Sequence, residues 1–219
     1  MHLDVVSNLV IEPVLEYPSA ERVRMIYEPW ADWPSSLISH HGKSCCEIVR
    51  AWFSAFDYSS LNGGSIFTGP RWLRQRFDWG PTRYPIHWCE IAREKTLDCG
   101  VHAALAHEVF TGRGVRSLRT QIVQQFSASA VQQWEATWSS ADARTDWIDG
   151  CLIYHEGCTI LINAAELKLW DPSSAWWIDP DNHRGYGGIK AFRVFAPYDS
   201  KCLTWGDHLV PPNEWIIFR

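Results

Sequence analysis

The apolar residues of this chain change their repeat near residue 140, and no other feature restricts the fold as much. Before that point they recur every four residues. Val101, Leu105 and Val109 form one run, and Leu118, Ile122, Phe126, Ala130, Trp134 and Trp138 form a longer one. Such spacing puts side chains on one stripe of a helix, and it predicts helices over about 98–112 and 117–139. Beyond residue 140 the apolar segments are short and divided by Gly, Asn, Asp or Pro: Cys151–Tyr154, His155–Asn163, Leu167–Asp171, Gly188–Phe195 and Glu214–Phe218. These read as strands of an antiparallel sheet. Helices first and strands second predict an α+β fold.

Composition does not shift along the 219 residues, and there is neither an internal repeat nor a low-complexity linker, so one domain is expected. Within it, residues 1–43, rich in Pro and Trp, form an irregular arm with one short helix near Ala20–Tyr27. Residues 44–139 are mainly helical. Ser44-Cys45-Cys46-Glu47 fits a capping box that opens a helix to about Phe56, with Ile48, Trp52, Ala55 and Phe56 on one stripe. Turns are expected at Asn62-Gly63-Gly64 and Gly80-Pro81. Residues 150–219 supply the sheet.

Several classes are excluded by what the chain lacks. No apolar run approaches the roughly 18 residues that a membrane helix needs. The N-terminal stretch begins with Asp4 instead of a basic region and is broken by Ser7 and Asn8, so it is a poor secretory signal and the protein reads as cytoplasmic. Seven cysteines, an odd number without a regular framework, are expected to be mostly reduced, buried and inert. A net charge of −5 argues against a general nucleic-acid binder. The basic run Arg71-Trp72-Leu73-Arg74-Gln75-Arg76-Phe77 then reads as a solvated helix face. His40-His41-Gly42-Lys43-Ser44-Cys45-Cys46 carries soft ligands, but no second Cys/His pair has a matching spacing, so neither a metal nor another cofactor is expected. Asp179–Gly188 reads as a loop that could cover a site.

Chemistry is concentrated in two segments. Leu97-Asp98-Cys99-Gly100-Val101-His102 sets a cysteine in the first turn of an apolar helix, with Asp98 as its N-cap. There the helix dipole and unpaired N–H groups favour a thiolate. The competing reading is a small buried residue in an Ala-rich helix. His102 and His107, on the same helix, read as structural or surface residues. A nucleophilic thiol needs a base, and the base needs an orienting group. If the two runs from Tyr154 to Pro172 form a hairpin turning at Asn163–Glu166, His155 faces a residue between 171 and 174. Asp171 lies at the edge of that range. Taken singly, His155 reads better as a solvated strand end and Asp171-Pro172 as a simple turn; their order with Cys99 is what points to a site.

Asp98-Cys99-Gly100 with Ala103-Ala104-Leu105, and the run from His155 to Asp171-Pro172, resemble the papain-like and transglutaminase-like superfamily of thiol enzymes. Within it they are similar to peptidases that remove double-glycine leader peptides, and Leu105–Val115 resembles the helix after the transglutaminase cysteine. The resemblance covers roughly residues 88–195. It implies a helix carrying Cys99 packed on an antiparallel sheet carrying His155 and Asp171. Leader peptidases place a glutamine about six residues before the cysteine, where this chain has Arg93. The transglutaminase resemblance implies an oxyanion held instead by the Cys99 N–H and an indole N–H, from Trp88, Trp79 or Trp72, with Arg93 as a further candidate.

The expectation is therefore cysteine-dependent acyl transfer through a thioester, forming or exchanging an amide bond. The acyl donor would be a small molecule, a peptide or a carrier-bound group, and the acceptor an amine or water. A cysteine peptidase or amidase is the alternative within the class, and a non-catalytic binding module with a Trp-lined groove is the alternative outside it. Fourteen tryptophans outnumber both Phe and Tyr. Trp52, Trp134 and Trp138 fit helix core faces. Trp170, Trp176 and Trp177 flank Asp171, and Trp72, Trp79 and Trp88 precede Cys99, so these are expected to wall a substrate cleft.

Overall fold

The computed structural model describes residues 18–27, 38–39, 68–181, 183, 187–197 and 199–218. The expected helix over 44–56, the turn at 62–64, the cluster around His40 and Cys45, and most of the N-terminal arm lie outside them. Asp98 caps a 14-residue helix, its side chain accepting the Val101 N–H at 3.0 Å. In chain order the elements are α1 (Ala20–Tyr27), β1 (Ile38–Ser39), α2 (Thr68–Arg76), β2 (Asp78–Trp79), β3 (Ile86–His87), α3 (Trp88–Ile91), β4 (Thr96–Leu97) and α4 (Cys99–Gly112). There follow β5 (Ser117–Gln125), α5 (Ala128–Ser140), β6 (Ile148–Asp149), β7 (Leu152–Leu161), β8 (Leu167–Asp171) and β9 (Trp176–Ile178). The chain closes with β10 (Gly188–Val194), β11 (Leu203–Trp205), β12 (His208–Val210) and β13 (Ile216–Ile217).

The fold is α+β around an antiparallel seven-stranded sheet in the order β13-β10-β5-β7-β8-β9, with β6 also on β7. α1 falls where the sequence puts it, and β7 joins two of the expected strands into one of ten residues. Strand β7 is central, paired along its length with β5 and at its far half with β8. Its alternating residues divide the core. Cys158 and Ile160 join α2, α3 and α4 on one face, through Leu73, Ile91, Leu105 and Phe110. On the other, Leu169, Phe192, Val194 and Trp205 cluster with Ile122. α1 and α5 cover the Val123–Tyr154 end, where Val23, Val131, Trp138 and Trp147 meet. No helix among the described residues is long and apolar enough to cross a membrane.

The expected helix over 117–139 is instead strand β5 followed by helix α5. A repeat of four is also a multiple of two, so Leu118 and Ile122 share a strand face as readily as a helix stripe. β5 then finds partners on both sides, in β7 and β10. The helix starts only at Ser127, whose hydroxyl accepts the Ala130 N–H at 3.3 Å. The described cysteines are mostly reduced, as expected, but mostly not buried. Cys99, Cys151, Cys158 and Cys202 are free thiols, of which only Cys158 is buried, and Cys89 is disulfide-bonded.

Gly157 governs how closely β8 approaches β7. A Cβ there would lie 2.7 Å from the Trp170 carbonyl oxygen and 3.4 Å from Ile122 Cδ1. Gly157→Ala should force the strands apart next to Asp171 and cost about 1–3 kcal/mol. Urea unfolding of the variant is expected to show that loss; an unchanged midpoint would contradict this account of the strand spacing.

Candidate active site

Three backbone features bring the chemistry together. The cap at Asp98 fixes Cys99 as the first residue of α4. The parallel pairing of β2 with β4, Trp79 opposite Leu97, lays Trp79 alongside the approach to that helix. The β7–β8 register runs from Cys158 opposite Trp170 to Leu161 opposite Leu167. Extended, it sets residue 173 opposite His155, so the register is not the edge case that a direct His155–Asp171 pair required. Asp171 is instead the diagonal neighbour, two residues along on the same face and within reach of a long side chain. His155 Nε2 lies 3.1 Å from Asp171 Oδ1, an ion-pair contact short of a linear hydrogen bond.

Asp171 is the most firmly held of the group. Its Oδ1 accepts the Ser173 N–H at 2.9 Å and the Ser173 hydroxyl at 2.6 Å, and its Oδ2 accepts the Ser174 hydroxyl at 2.7 Å. Burial alone would raise its carboxyl, yet His155 and these donors hold it well below the usual carboxylate range. The Asp-Pro-Ser-Ser sequence, with a side chain that can accept N–H groups two and three residues on, could have revealed this turn.

His155 is buried, which disfavours its charge, but Asp171 and Cys99 together raise its pKa well above the ordinary histidine value. With Nε2 occupied by Asp171, Nδ1 is left for the thiol. Cys99 departs from expectation. Burial pushes its thiol above the ordinary value, outweighing the opposing pull of His155. Asp98 and Glu156 add to the rise, since a thiolate beside two buried carboxylates is disfavoured. The helix N-terminus does not by itself produce a resting thiolate. Burial favours the neutral thiol while Asp171 and Cys99 favour a protonated His155, so the two groups titrate as a coupled pair.

Around Cys99 lies a polar floor that the sequence did not reveal. Tyr84 donates its hydroxyl to Asp98 Oδ2 at 2.5 Å, and the Asp98 N–H donates to Thr82 Oγ1 at 2.8 Å. Burial pushes the Asp98 carboxyl up to about 6 despite these contacts. Behind it, the fully buried Glu156 takes a two-pronged contact from Arg119 at 2.7 and 3.1 Å and a hydrogen bond from the Tyr154 hydroxyl. The fork geometry is that of a carboxylate with a guanidinium.

Cys99 and His155 open into a cavity of about 540 Å³. Trp79, Trp138 and Trp147 form one wall, Tyr84, Asp98 and Tyr154 the floor, and Arg83, Asp142 and Arg144 the rim. Of the tryptophans expected there, only Trp79 lines it. Trp72, Trp88 and Trp170 belong to the core under α4, where Trp177 packs against them. Trp176 is 71% exposed on strand β9. Arg93 is exposed after α3 and does not reach the cavity. These residues sit near Cys99 or Asp171 in sequence, but their side chains pack into the core beneath α4 or, for Trp176 and Arg93, face solvent. Trp138 is both core and wall, and nothing in the sequence singled out Trp147. The Trp79 indole Nε1–H is buried without an acceptor among the described residues. No described residue of the 179–188 loop lines the cavity, so a covering role there gains no support. No group of three His, Cys, Asp or Glu among the described residues is placed to hold a metal.

Comparison of the chain with models of known protein families, with curated proteins and with solved structures finds no match in any of the three.

Two outcomes test these electrostatics. Asp171→Asn removes the anion that raises His155, so the imidazole takes the Cys99 proton less readily. The pH profile for iodoacetamide alkylation of Cys99 should move to higher pH, with a slower rate near pH 7; an unmoved profile would show that Asp171 does not act on the pair. Asp98 has a folded pKa of about 6 against an ordinary 3.8, so its charge opposes folding above pH 6 and the penalty disappears as pH falls toward 4. Asp98→Asn keeps a competent cap and removes the titration. Relative to this variant, the wild type should gain up to about 3 kcal/mol between pH 7 and pH 4, measured by denaturant unfolding.

Proposed function

We propose that the protein is a papain-like or transglutaminase-like thiol enzyme that transfers an acyl group through a thioester on Cys99, with an amine as acceptor. The observation that carries this reading is that Cys99, at the N-terminus of a helix, and His155, on a strand of the antiparallel sheet, line one cavity, while Asp171 on the neighbouring strand contacts His155. Their chain order, Cys then His then Asp, also agrees with the resemblance noted in the sequence.

In the first step the Cys99 sulfur attacks the acyl carbonyl carbon. A C–S bond forms, the bond to the leaving group breaks, and His155 delivers a proton to that group. In the second step the amine nitrogen attacks the thioester carbon. The C–S bond breaks, an amide forms, and His155 takes up the proton of the amine as the thiolate leaves. Asp171 orients the imidazole and stabilises its cation through both steps. The oxyanion is assigned to the Cys99 N–H and the unpartnered Trp79 indole N–H. Hydrolysis by a peptidase or amidase shares the first step and differs in admitting water to the second. The aromatic wall favours a sheltered thioester and hence the amine.

A minimal test uses p-nitrophenyl acetate as a generic acyl donor. The wild type should release a stoichiometric burst of nitrophenol and gain one acetyl group on Cys99, and glycinamide should discharge it as the acetylated amide. Cys99→Ala should lose the burst, and His155→Ala should slow it by roughly 10²–10⁴-fold. Acetylation of Cys99 no faster than that of the exposed Cys202 would refute the proposal. Discharge only to water, with glycinamide ignored, would favour the amidase.

A further inference from the structure

We infer that the cavity over Cys99 selects an acyl donor bearing a flat, uncharged aromatic group, an inference that rests on the acyl-transfer reading of the same site. The wall is built from three unconnected places: Trp79 on β2, Trp138 in the last turn of α5, and Trp147 just before β6. Their ring centroids lie 4.6 Å apart for Trp79 and Trp138, 5.1 Å for Trp138 and Trp147, and 6.3 Å for Trp79 and Trp147. The rings are inclined by 46°, 61° and 84° respectively. Three mutually inclined indoles make a corner and not a closed stack, so a further planar ring finds both edges and faces to meet.

What the wall withholds is as informative. The Trp147 indole N–H donates to the Arg144 carbonyl at 3.0 Å. The Tyr84 hydroxyl is spent on Asp98 and the Tyr154 hydroxyl on Glu156. Both Asp98 oxygens are engaged, one by Tyr84 and the other by the Val101 N–H. Apart from the Trp79 indole N–H, a polar group entering this corner would lose its water and find the nearby donors and acceptors engaged. The remaining charges, Arg83, Asp142 and Arg144, are exposed at the rim, and Arg144 is paired with Asp146. The interior therefore offers π-surface and aliphatic contact from Pro81 and Ile153, in a volume suited to a small planar ligand.

A saturated ring of the same size would gain the burial but not the ring–ring contacts, and that difference can be measured. The full-length protein is treated with 2-chloro-N-benzylacetamide or 2-chloro-N-(cyclohexylmethyl)acetamide, and the Cys99 adduct is followed by mass spectrometry. The benzyl reagent should alkylate Cys99 roughly fivefold faster, equivalent to about 1 kcal/mol, and Trp147→Leu should remove most of the preference. Equal rates, or a faster cyclohexyl reagent, would overturn the inference while leaving the acyl-transfer reading standing. If iodoacetamide and both chloroacetamides leave Cys99 untouched, that reading fails. The unreactive N-benzylacetamide and N-(cyclohexylmethyl)acetamide, titrated against tryptophan fluorescence, then decide the matter: tighter benzyl binding supports the aromatic preference and equal binding refutes it. If Trp147→Leu does not fold by circular dichroism, the comparison of reagents on the wild type is sufficient.

Discussion

A thiol, an imidazole and three carboxylates are buried together where an apolar helix meets the middle of a sheet, and each would be costly there alone. They are tolerated because each meets a partner across a different structural seam. Asp171 is satisfied by its own turn and by His155. Asp98 is satisfied by the helix that it caps and by Tyr84. Glu156 is satisfied by Arg119 from the neighbouring strand. Removing one partner strands a buried charge, so positional accuracy at Cys99 and stability of the β7–α4 joint are parts of one electrostatic arrangement.

That arrangement explains why the thiol is not preactivated. The helix N-terminus supplies a favourable dipole, but two carboxylates and low solvent access oppose ionisation more strongly. In the mechanism proposed above, the proton is kept within the Cys99–His155 pair and moves when a substrate arrives. In the reading proposed above, two cavity features divide the work: the polar floor sets protonation and the indole corner selects the acyl donor.

Much of the fold was legible because local rules and tertiary packing agree. The Asp98 cap, the helix to Gly112, the short α1 and the strands from Leu152 to Asp171 all follow from capping residues and apolar period. The 117–139 segment was not, because a four-residue repeat satisfies a strand face as well as a helix stripe, and the decision belongs to β7 and β10, which pair with β5 on either side. The tryptophans show the same limit. Sequence proximity to Cys99 or Asp171 suggested a wall of Trp72, Trp88, Trp170 and Trp176, but proximity along a chain does not say which way a side chain turns. Three of these fill the core beneath α4 and one faces solvent, while Trp138 and Trp147, from helix α5 and the segment after it, close the cavity.

By itself, then, the sequence determined where a helix could begin with a cysteine, that a hairpin would follow with a histidine and an aspartate near its open end, and that the whole would be α+β. These are consequences of capping, turn chemistry and periodicity, which act over a few residues. Only the tertiary structure decided that His155 meets Asp171 diagonally, that Cys99 is raised and not lowered, and which indoles face the thiol. Those outcomes depend on strand register, burial and the joint packing of elements far apart in the chain, and no local pattern encodes them.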